Sequence, residues 1–271
     1  MNKMLIISGA GISAESGVPT FRTETEGGPA LWDKYRLNDV CMIDQFDAGF
    51  DLKIGAEYPV VGGMNKEGEN LYDLTHEFYN RRRVELGSVR PNGAHLRAAV
   101  WGSTYPGRVH HVTTNVDDLF ERSGIPHENI IHVHGYLPRV VTKSTEDSEP
   151  EVRDIGYYTI NPEDYYWAKP DVVFFGEGAP EYQKMFSLFR EFGKGDLVIL
   201  VGCSNQVIDF YWEICPMVDR GAKAVVINPE LTMNEKYMME KYGIEYFECG
   251  AVKAFDSNKL NTLVTQTMEV L

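Results

Sequence analysis

Short apolar runs rich in β-branched residues alternate along the chain with longer stretches of helical periodicity. The apolar runs are nearly continuous, as expected for strands covered on both faces of a parallel sheet; they lie at 4–8, 109–113, 130–133, 171–175, 197–201, 224–227 and 244–247. The helical stretches lie at 71–86, 93–101, 181–192, 207–218, 233–242 and 259–270. This alternation predicts an α/β fold with a doubly wound parallel sheet.

Two regions interrupt this rhythm and predict a smaller inserted module. Residues 22–70 are rich in glycine and acidic side chains and show no clear strand, and residues 139–166 are polar and irregular. Loops of this length inside a compact domain are usually functional or form a small subdomain. We therefore predict one domain over 1–271, with a core of about 1–35, 84–135 and 170–271 and inserted segments of about 36–83 and 136–169.

Charge and cysteine usage exclude several classes of protein. A formal net charge of −14 argues against binding a nucleic-acid backbone through bulk electrostatics. Even the longest apolar runs, such as 197–201, are too short to span a bilayer, so we expect no membrane association. The four cysteines form no C-x-x-C pair, which excludes a zinc ribbon with four cysteine ligands and predicts reduced thiols in a cytoplasmic protein; they are Cys41, Cys203, Cys215 and Cys249. The oligomeric state stays open.

A glycine-rich turn follows the first predicted strand. Gly9, Gly11 and Ala14 fit the pattern G-x-G-x-x-G/A, in which the first glycine permits a tight turn and the second lets the backbone approach a pyrophosphate. A plain glycine turn is the alternative. No second strand ending in Asp or Glu follows about twenty residues later, so a dinucleotide site is favoured but a standard hydride-transfer enzyme is not.

The whole string at 9–22 resembles the signature of the sirtuin (Sir2) family, and five further blocks follow in the order of that family. Residues 113–119 resemble the block T-Q-N-[IV]-D-x-L, and residues 132–135 resemble the block that carries the catalytic histidine. Residues 175–177 resemble the substrate-binding F-G-E, while 202–204 and 227–228 resemble two nucleotide-binding blocks. The resemblance spans residues 5 to about 251.

This resemblance implies a Rossmann-like fold and an NAD-dependent protein lysine deacylase, which transfers the acyl group of an acyl-lysine protein or peptide to ADP-ribose and releases nicotinamide. The acyl oxygen would attack the ribose carbon as nicotinamide leaves, and a histidine would then act as base toward a ribose hydroxyl. The implied catalytic residues are His134, Asn115 and Asp117. The implied NAD contacts are Gly9, Ala10, Gly11, Ser13, Glu15, Phe21, Arg22, Thr114, Gly202, Ser204, Asn228 and Ala251. The implied substrate contacts are Tyr79, Arg82, Phe175, Gly176 and Glu177, with the backbone of 175–177 pairing with the peptide as an added strand.

The polar residues of these blocks also have a chemical interpretation of their own. Asn115 and Asp117 follow a predicted strand at the edge where α/β folds bind ligands, and an amide and a carboxylate suit ribose hydroxyls; helix capping is the alternative. His134 can act as a base near neutral pH. His132 would face the same side of a strand, and either histidine could be structural, as we expect for His95.

One segment indicates which acyl group is removed. Thr20 and the pair Tyr79/Arg82 resemble class III sirtuins, the desuccinylase-like branch. Positions i and i+3 share a helix face, and an arginine fork beside a tyrosine hydroxyl can hold the terminal carboxylate of a succinyl, malonyl or glutaryl group. The resemblance also places Cys41 near that pocket. A solvated helix face is the alternative for an arginine triplet.

The chain departs from the family pattern at several positions. Thr114 replaces a glutamine, so a ribose contact would be lost, and Phe120 replaces a histidine. Residues 139–166 hold no cysteine where the family usually has two zinc-binding pairs, so we predict no zinc and no other metal. We expect a hydrophobic substitute core of Tyr157, Tyr158, Tyr165, Tyr166 and Trp167, and we interpret 43–70 as an insertion beside the acyl pocket.

Other functions remain open at the level of sequence. A Sir2-like NAD hydrolase would need Asn115 and His134 but no acyl-lysine channel. A sirtuin-like ADP-ribosyltransferase is disfavoured because that branch tends to replace the catalytic histidine. A non-catalytic module that senses NAD or ADP-ribose would not need Asn115, Asp117 and His134 together.

Overall fold

The computed structural model describes residues 1–19 and 35–269. Strands, numbered in chain order, are β1 Met4–Ser8, β2 Val109–Thr113, β3 Ile130–His132, β4 Gly135–Lys143, β5 Glu151–Asp154, β6 Trp167–Val172, β7 Leu197–Val201, β8 Lys223–Ile227 and β9 Glu245–Phe247. Helices are α1 Gly11–Ala14, α2 Leu37–Val40, α3 Ile43–Ile54, α4 Leu71–Ser88, α5 Gly93–Thr104, α6 Leu119–Arg122, α7 Glu181–Arg190, α8 Phe210–Asp219, α9 Met233–Tyr242, α10 Ala251–Asp256 and α11 Asn258–Met268.

A six-stranded parallel sheet, in the order β3-β2-β1-β7-β8-β9, forms the centre of the fold. Every residue of β1 is fully buried. Side chains alternate between the two faces, so Leu5 and Ile7 pack under α7, α8 and α9 while Met4 and Ile6 pack under α5, α10 and α11. These helices on both faces confirm the predicted doubly wound α/β class.

A second, antiparallel sheet has the order β5-β4-β6. Two expectations are therefore wrong. Residues 139–166 are not irregular, because they contain most of β4 and all of β5. The run 171–175 is not a strand of the central sheet, since β6 ends at Val172 and Phe174 is buried against the helices α2–α4 instead. β4 buries only alternate residues along most of its length, which is why its sequence looks polar.

The expected aromatic core of this small sheet is also largely wrong. The buried residues there are Val140, Ile160 and Ala168, with Tyr165 only at the margin. Tyr158 is 81% exposed. Trp167 packs edge-on against Phe46 of α3, and so belongs to the neighbouring helical cluster. Aliphatic side chains therefore supply the interior of the small sheet.

The helical predictions differ mainly at their ends. Met233–Tyr242 is observed as predicted, whereas α8 begins at Phe210, three residues later than expected. The segment 251–256 forms the separate helix α10, which the sequence pattern did not indicate, and Ser257 caps the next helix. Within the described residues, no helix combines the length and apolar character that crossing a membrane requires.

Candidate active site

The carboxyl ends of the parallel strands gather the polar residues singled out in the sequence. The chain runs from β1 to β2 on one side, while β7 lies on the other side of β1. Such a switch point leaves a crevice in which open α/β sheets bind their ligands. Three loops at this edge begin with Gly9 after β1, Thr114 after β2 and Gly202 after β7.

The glycines of the first turn allow two loops to interlock. The amide of Gly11 donates to the Gly202 carbonyl at 2.9 Å, and that of Gly9 donates to Val201. A Cβ on Gly9 would lie 2.6 Å from the Gly202 oxygen, and one on Gly11 would lie 2.6 Å from the Gly202 Cα. Gly202 itself has a φ of +63°, which favours glycine. In this structure the close neighbour of Gly11 is therefore the Gly202 backbone.

Two buried hydrogen bonds, both made by the Ser13 hydroxyl, join the first turn to the end of β2. The Ser13 hydroxyl donates to Asp117 Oδ2 at 2.8 Å and accepts from Asn115 Nδ2 at 3.1 Å. Ser13 is fully buried, and Asn115 and Asp117 are each 8% exposed. Burial raises the pKa of Asp117, and the Ser13 hydroxyl and the Leu119 amide act against that shift. Ser13 thus holds an amide and a carboxylate near each other at the crevice.

The alternative of helix capping applies to only one of these residues. Asp117 Oδ1 accepts from the Leu119 amide at 3.1 Å, so this carboxylate also caps the first turn of α6. Asn115 makes no such contact, since its side-chain amide donates to Ser13. Asp117 therefore caps α6 and also bonds Ser13, whereas the side chain of Asn115 bonds Ser13.

His134 lies in the turn between β3 and β4, and each of its two ring nitrogens has a hydrogen-bond partner. Its Nε2 is 2.9 Å from the Tyr182 hydroxyl, and the ring also hydrogen-bonds the backbone carbonyl of Thr114. A carbonyl can only accept, so Nδ1 carries the proton and Nε2 is the basic nitrogen, which accepts from Tyr182. Burial lowers the pKa of His134 despite the opposing effect of that carbonyl. The ring is therefore neutral at pH 7 and able to act as a base.

The two neighbouring histidines have other roles. β3 ends at His132, so His134 lies outside the strand and the expectation that both share one strand face is wrong. His132 Nε2 is 2.8 Å from Glu121 Oε1 instead. His95 is fully buried in a capping box with Asn92, and burial lowers its pKa to about 4. Its Nε2 also lies 3.5 Å from the Ser13 hydroxyl, and its structural role stays a prediction.

The other expected NAD contacts are spread around the same edge. Glu15 accepts from the Val252 amide at 2.8 Å, so its carboxylate meets the start of α10 beside Ala251. Asn228 donates to the Cys203 carbonyl at 3.2 Å, and Ser204 is exposed after β7.

The Thr114 hydroxyl is 3.3 Å from the Ser8 carbonyl, within the β1–β2 junction. Ala10 begins the turn that leads into α1. Thr20, Phe21 and Arg22 lie outside the described residues.

The expected acyl-pocket residues lie on α4 but their polar groups have different partners. The Tyr79 hydroxyl is 3.2 Å from Cys41 Sγ, and its ring stacks on Phe174. Arg82 donates to Glu85 at 2.8 Å, and its buried Nε has no hydrogen-bond partner among the described residues. Burial raises the pKa of Cys41 to about 12, so this thiol stays protonated. Among the described residues, the Nε–H of Arg82 is therefore a buried donor without an acceptor.

In the F-G-E segment, the backbone of Phe175 is already hydrogen-bonded to other residues of the same chain. Phe175 donates its amide to the Cys41 carbonyl at 2.8 Å and accepts from the Ile43 amide at 3.1 Å. Both backbone groups of Phe175 are therefore taken, and strand addition by a peptide is closed at that residue. Gly176 follows with a φ of +91°, and Glu177 forms an ion pair of 3.0 Å with the buried Lys169.

Two residues near these groups were not indicated by the sequence. Tyr182 comes from the first turn of α7 and lies 48 residues after His134. Lys169 comes from β6 and contacts Glu177, which is close to it in sequence. Lys169 lies 4.2 Å from the Phe174 ring centroid. Lys169 lies just outside the predicted run 171–175, so the sequence pattern gave no signal for its burial, and nothing in the helical pattern marked Tyr182.

Comparisons with known proteins agree with this geometry. The sequence model described as "Sir2 family" matches residues 9–209. An NAD-dependent protein deacylase of Helicobacter hepaticus is 35% identical over 229 residues, covering 77% of each chain. Another, of Vibrio vulnificus strain YJ016, is 31% identical over 245 residues, covering 89% of this chain and 87% of the relative.

Solved structures show the same fold. A mutant Sir2 homologue in complex with ADP-ribose superimposes with a TM-score of 0.69 at 24% identity, covering 99% of this chain and 94% of the other. A Sir2 homologue in complex with NAD gives a TM-score of 0.65 at 23% identity, covering 98% and 90%. With the sequence matches, these findings confirm the predicted resemblance: the chain belongs to the Sir2 family.

Proposed function

We propose that this chain is an NAD-dependent protein lysine deacylase. The observation that carries the proposal is the grouping of a neutral histidine base, a buried amide and a buried carboxylate at the switch point of the sheet. His134 is hydrogen-bonded to the residue that directly precedes Asn115, and Asn115 shares Ser13 with Asp117. The names of the curated relatives and of the ADP-ribose and NAD complexes support the same activity.

The residues present fit a dinucleotide. NAD would supply an ADP-ribosyl acceptor for the acyl group and nicotinamide as the leaving group. Asn115 and Asp117 offer a donor and an acceptor for ribose hydroxyls, and His134 takes a proton from one of them at Nε2. Because burial keeps His134 neutral, the base is ready without a prior deprotonation step. Tyr182 must release Nε2 when the ribose hydroxyl arrives.

The remaining contacts with NAD are assigned by position. Gly9, Ala10 and Gly11 form the turn that borders the crevice, and Gly202, Ser204 and Asn228 border it from β7 and β8. Glu15 and Ala251 meet at the start of α10 on the same side.

Ser13 acts by holding Asn115 and Asp117, while Thr114 contributes its carbonyl to His134. Phe21 and Arg22 keep their proposed role of covering and anchoring the dinucleotide.

We assign the acyl preference to acidic groups such as succinyl. Tyr79 is buried beside Cys41, and Arg82 on the same helix keeps a buried Nε without a partner among the described residues. A carboxylate that reached Arg82 would form a charge-assisted hydrogen bond with this nitrogen in competition with Glu85. The peptide would be held along 175–177 through Gly176 and Glu177, since the backbone of Phe175 is already paired.

We further propose that the catalytic unit needs no cysteine-bound zinc and is cytoplasmic. Val140, Ile160 and Ala168 give the antiparallel sheet an aliphatic core of its own. All four cysteines are free, which suits a reducing compartment. In this proposal the chain is one catalytic domain, with a Rossmann-like core of about 1–35, 84–135 and 170–271 and inserts of about 36–83 and 136–169.

The direct test is incubation of the purified chain with NAD and an acyl-lysine peptide. Mass spectrometry should show the free-lysine peptide and acyl-ADP-ribose in equal amounts. Both products should disappear when NAD is omitted. Conversion of NAD with the peptide left acylated would reject the deacylase.

A further inference from the structure

Outside the crevice, three side chains of the segment from α6 to β3 lie close together. We define the His–Glu cluster as Glu121, His127 and His132. Glu121 Oε1 lies 2.7 Å from His127 Nδ1 and 2.8 Å from His132 Nε2. The three atoms lie within 4.8 Å of one another, and the two imidazole rings stack with centroids 5.3 Å apart. One short stretch, from α6 through the turn at 127–129 to β3, thus supplies all three groups.

The hydrogen bonds around His132 leave a conflict that a cation would resolve. Its Nδ1 faces the Asn115 carbonyl at 3.3 Å, and a carbonyl can only accept, so Nδ1 carries a proton. Nε2 then points at a carboxylate, which also only accepts. Either His132 or Glu121 must carry an extra proton, or a cation must lie between them. A metal ion would satisfy both groups in their ordinary forms, a neutral imidazole and an ionised carboxylate.

The surroundings are those of a metal ligand rather than of a simple ion pair. A metal-bound histidine usually donates its other ring N–H to a carbonyl or carboxylate, which fixes the ring, and His132 makes that contact. Glu121 Oε2 is buried with no hydrogen-bond partner among the described residues, so the carboxylate keeps unused coordinating capacity. His127 is 42% exposed, which gives an ion access from solvent.

We propose that Glu121 Oε1, His127 Nδ1 and His132 Nε2 bind a divalent transition-metal ion, with zinc the best match. Two imidazoles and one carboxylate are a common zinc donor set with a fourth position open. This proposal departs from our expectation that the chain has no metal ligands, which rested on the missing cysteines. It does not depend on the deacylase activity, because none of the three residues is assigned to NAD or peptide.

The neighbouring side chain of Arg139 opposes metal binding at the His–Glu cluster. Arg139 Nη1 lies 3.4 Å from His127 Nε2, and that nitrogen must carry a proton once Nδ1 coordinates a metal. Arg139 also lies 2.9 Å from Asp171 Oδ2, so its guanidinium has an acceptor when it turns from the histidine. Arg139→Gln should therefore bind zinc more tightly than the unaltered chain.

The test is a zinc titration of the full chain after dialysis against a chelator, in competition with a zinc-sensitive dye. The chain should bind one equivalent of Zn²⁺, and His127→Ala should weaken this binding at least about 10-fold, since loss of groups that merely orient a ligand costs as much. Glu128→Gln, on the same turn, and Cys249→Ser, which removes a partly exposed thiol, should bind like the unaltered chain.

A second readout separates metal binding from a structural role. Zinc should raise the melting temperature of the unaltered chain and of Glu128→Gln, but not that of His127→Ala. Because His127 is partly exposed, His127→Ala should fold, which far-UV circular dichroism would show. Absence of dye-competing binding, or equal binding by His127→Ala and the unaltered chain, would overturn the proposal.

Discussion

The hydroxyl of Tyr182 lies 2.9 Å from Nε2 of His134 and donates to the nitrogen that we assign as the base. This hydrogen bond orients the ring, and protonation would only reverse it, because an imidazolium can donate from Nε2 to the hydroxyl oxygen. Tyr182 therefore positions the base, whereas burial lowers the pKa of His134. The contact must break when substrate binds, so Tyr182 is a positioning residue rather than a catalytic one.

Tyr182→Phe should lower kcat/KM for deacylation by about threefold to tenfold above the acidic limb of the pH profile, because a hydrogen bond of about 1 kcal/mol no longer orients the His134 ring. Deacylation requires neutral His134, so activity is lost as pH falls through its pKa. That limb should stay at the same pH in the variant, since burial is what lowers this pKa. An unchanged kcat/KM in a folded variant would contradict the role of Tyr182.

His134→Ala should lower kcat by at least about 100-fold, the usual contribution of a general base. The matched control is His110→Ala, because His110 is also partly buried but lies near the start of β2, away from the crevice. That variant should deacylate at close to the normal rate. Peptide turnover followed by mass spectrometry measures both. Appreciable deacylation by His134→Ala would mean that another group is the base.

Arg82→Met should depress desuccinylation by about 10- to 100-fold, since a charge-assisted hydrogen bond is worth roughly 1.5 to 3 kcal/mol. Deacetylation should stay within about threefold. Arg81→Met is the matched control, because Arg81 pairs with the same Glu85 oxygen but is more exposed. It should leave the ratio of the two activities unchanged. Equal loss of both activities in Arg82→Met would reject Arg82 as the carboxylate ligand.

Gly11→Ala should lower the free energy of unfolding by about 2 kcal/mol or more, because the new Cβ would lie 2.6 Å from the Gly202 Cα. Gly102→Ala is the opposite case. Gly102 lies within α5 with nothing within 4 Å of an added Cβ, so the variant should be more stable by roughly 0.5 to 1 kcal/mol. Urea unfolding of both compares them. A neutral Gly11→Ala would show that the two loops are not interlocked.

Sequence patterns predicted the central sheet because its strands are buried on both faces and read as nearly continuous apolar runs. β4 and β5 were missed because a partly solvated antiparallel strand alternates between buried residues and polar ones such as Arg139 and Lys143. The run at 171–175 was wrongly predicted to be a strand of the central sheet, because helices rather than a neighbouring strand bury Phe174. Apolar character predicts burial but not the partner that supplies it.

The candidate site was predictable where it depends on strand ends. Asn115 and Asp117 follow β2, and His134 follows β3, so their edge of the sheet could be inferred from chain order. Tyr182 and Glu121 could not be placed, because their contacts depend on how α7 and α6 pack. The partner of a side chain such as Arg82 was also unpredictable, since Glu85 competes for it on the same helix.

The most direct test of the deacylase is the dependence of nicotinamide release on peptide. The purified chain would be incubated with NAD alone, with an acetyl-lysine peptide and with a succinyl-lysine peptide. The proposed function predicts little release without peptide, release matched by peptide deacylation with either substrate, and the faster reaction with succinyl-lysine. Brisk release without peptide would identify an NAD hydrolase, and no release under any condition would identify a module that binds NAD without turning it over; either result would contradict the deacylase.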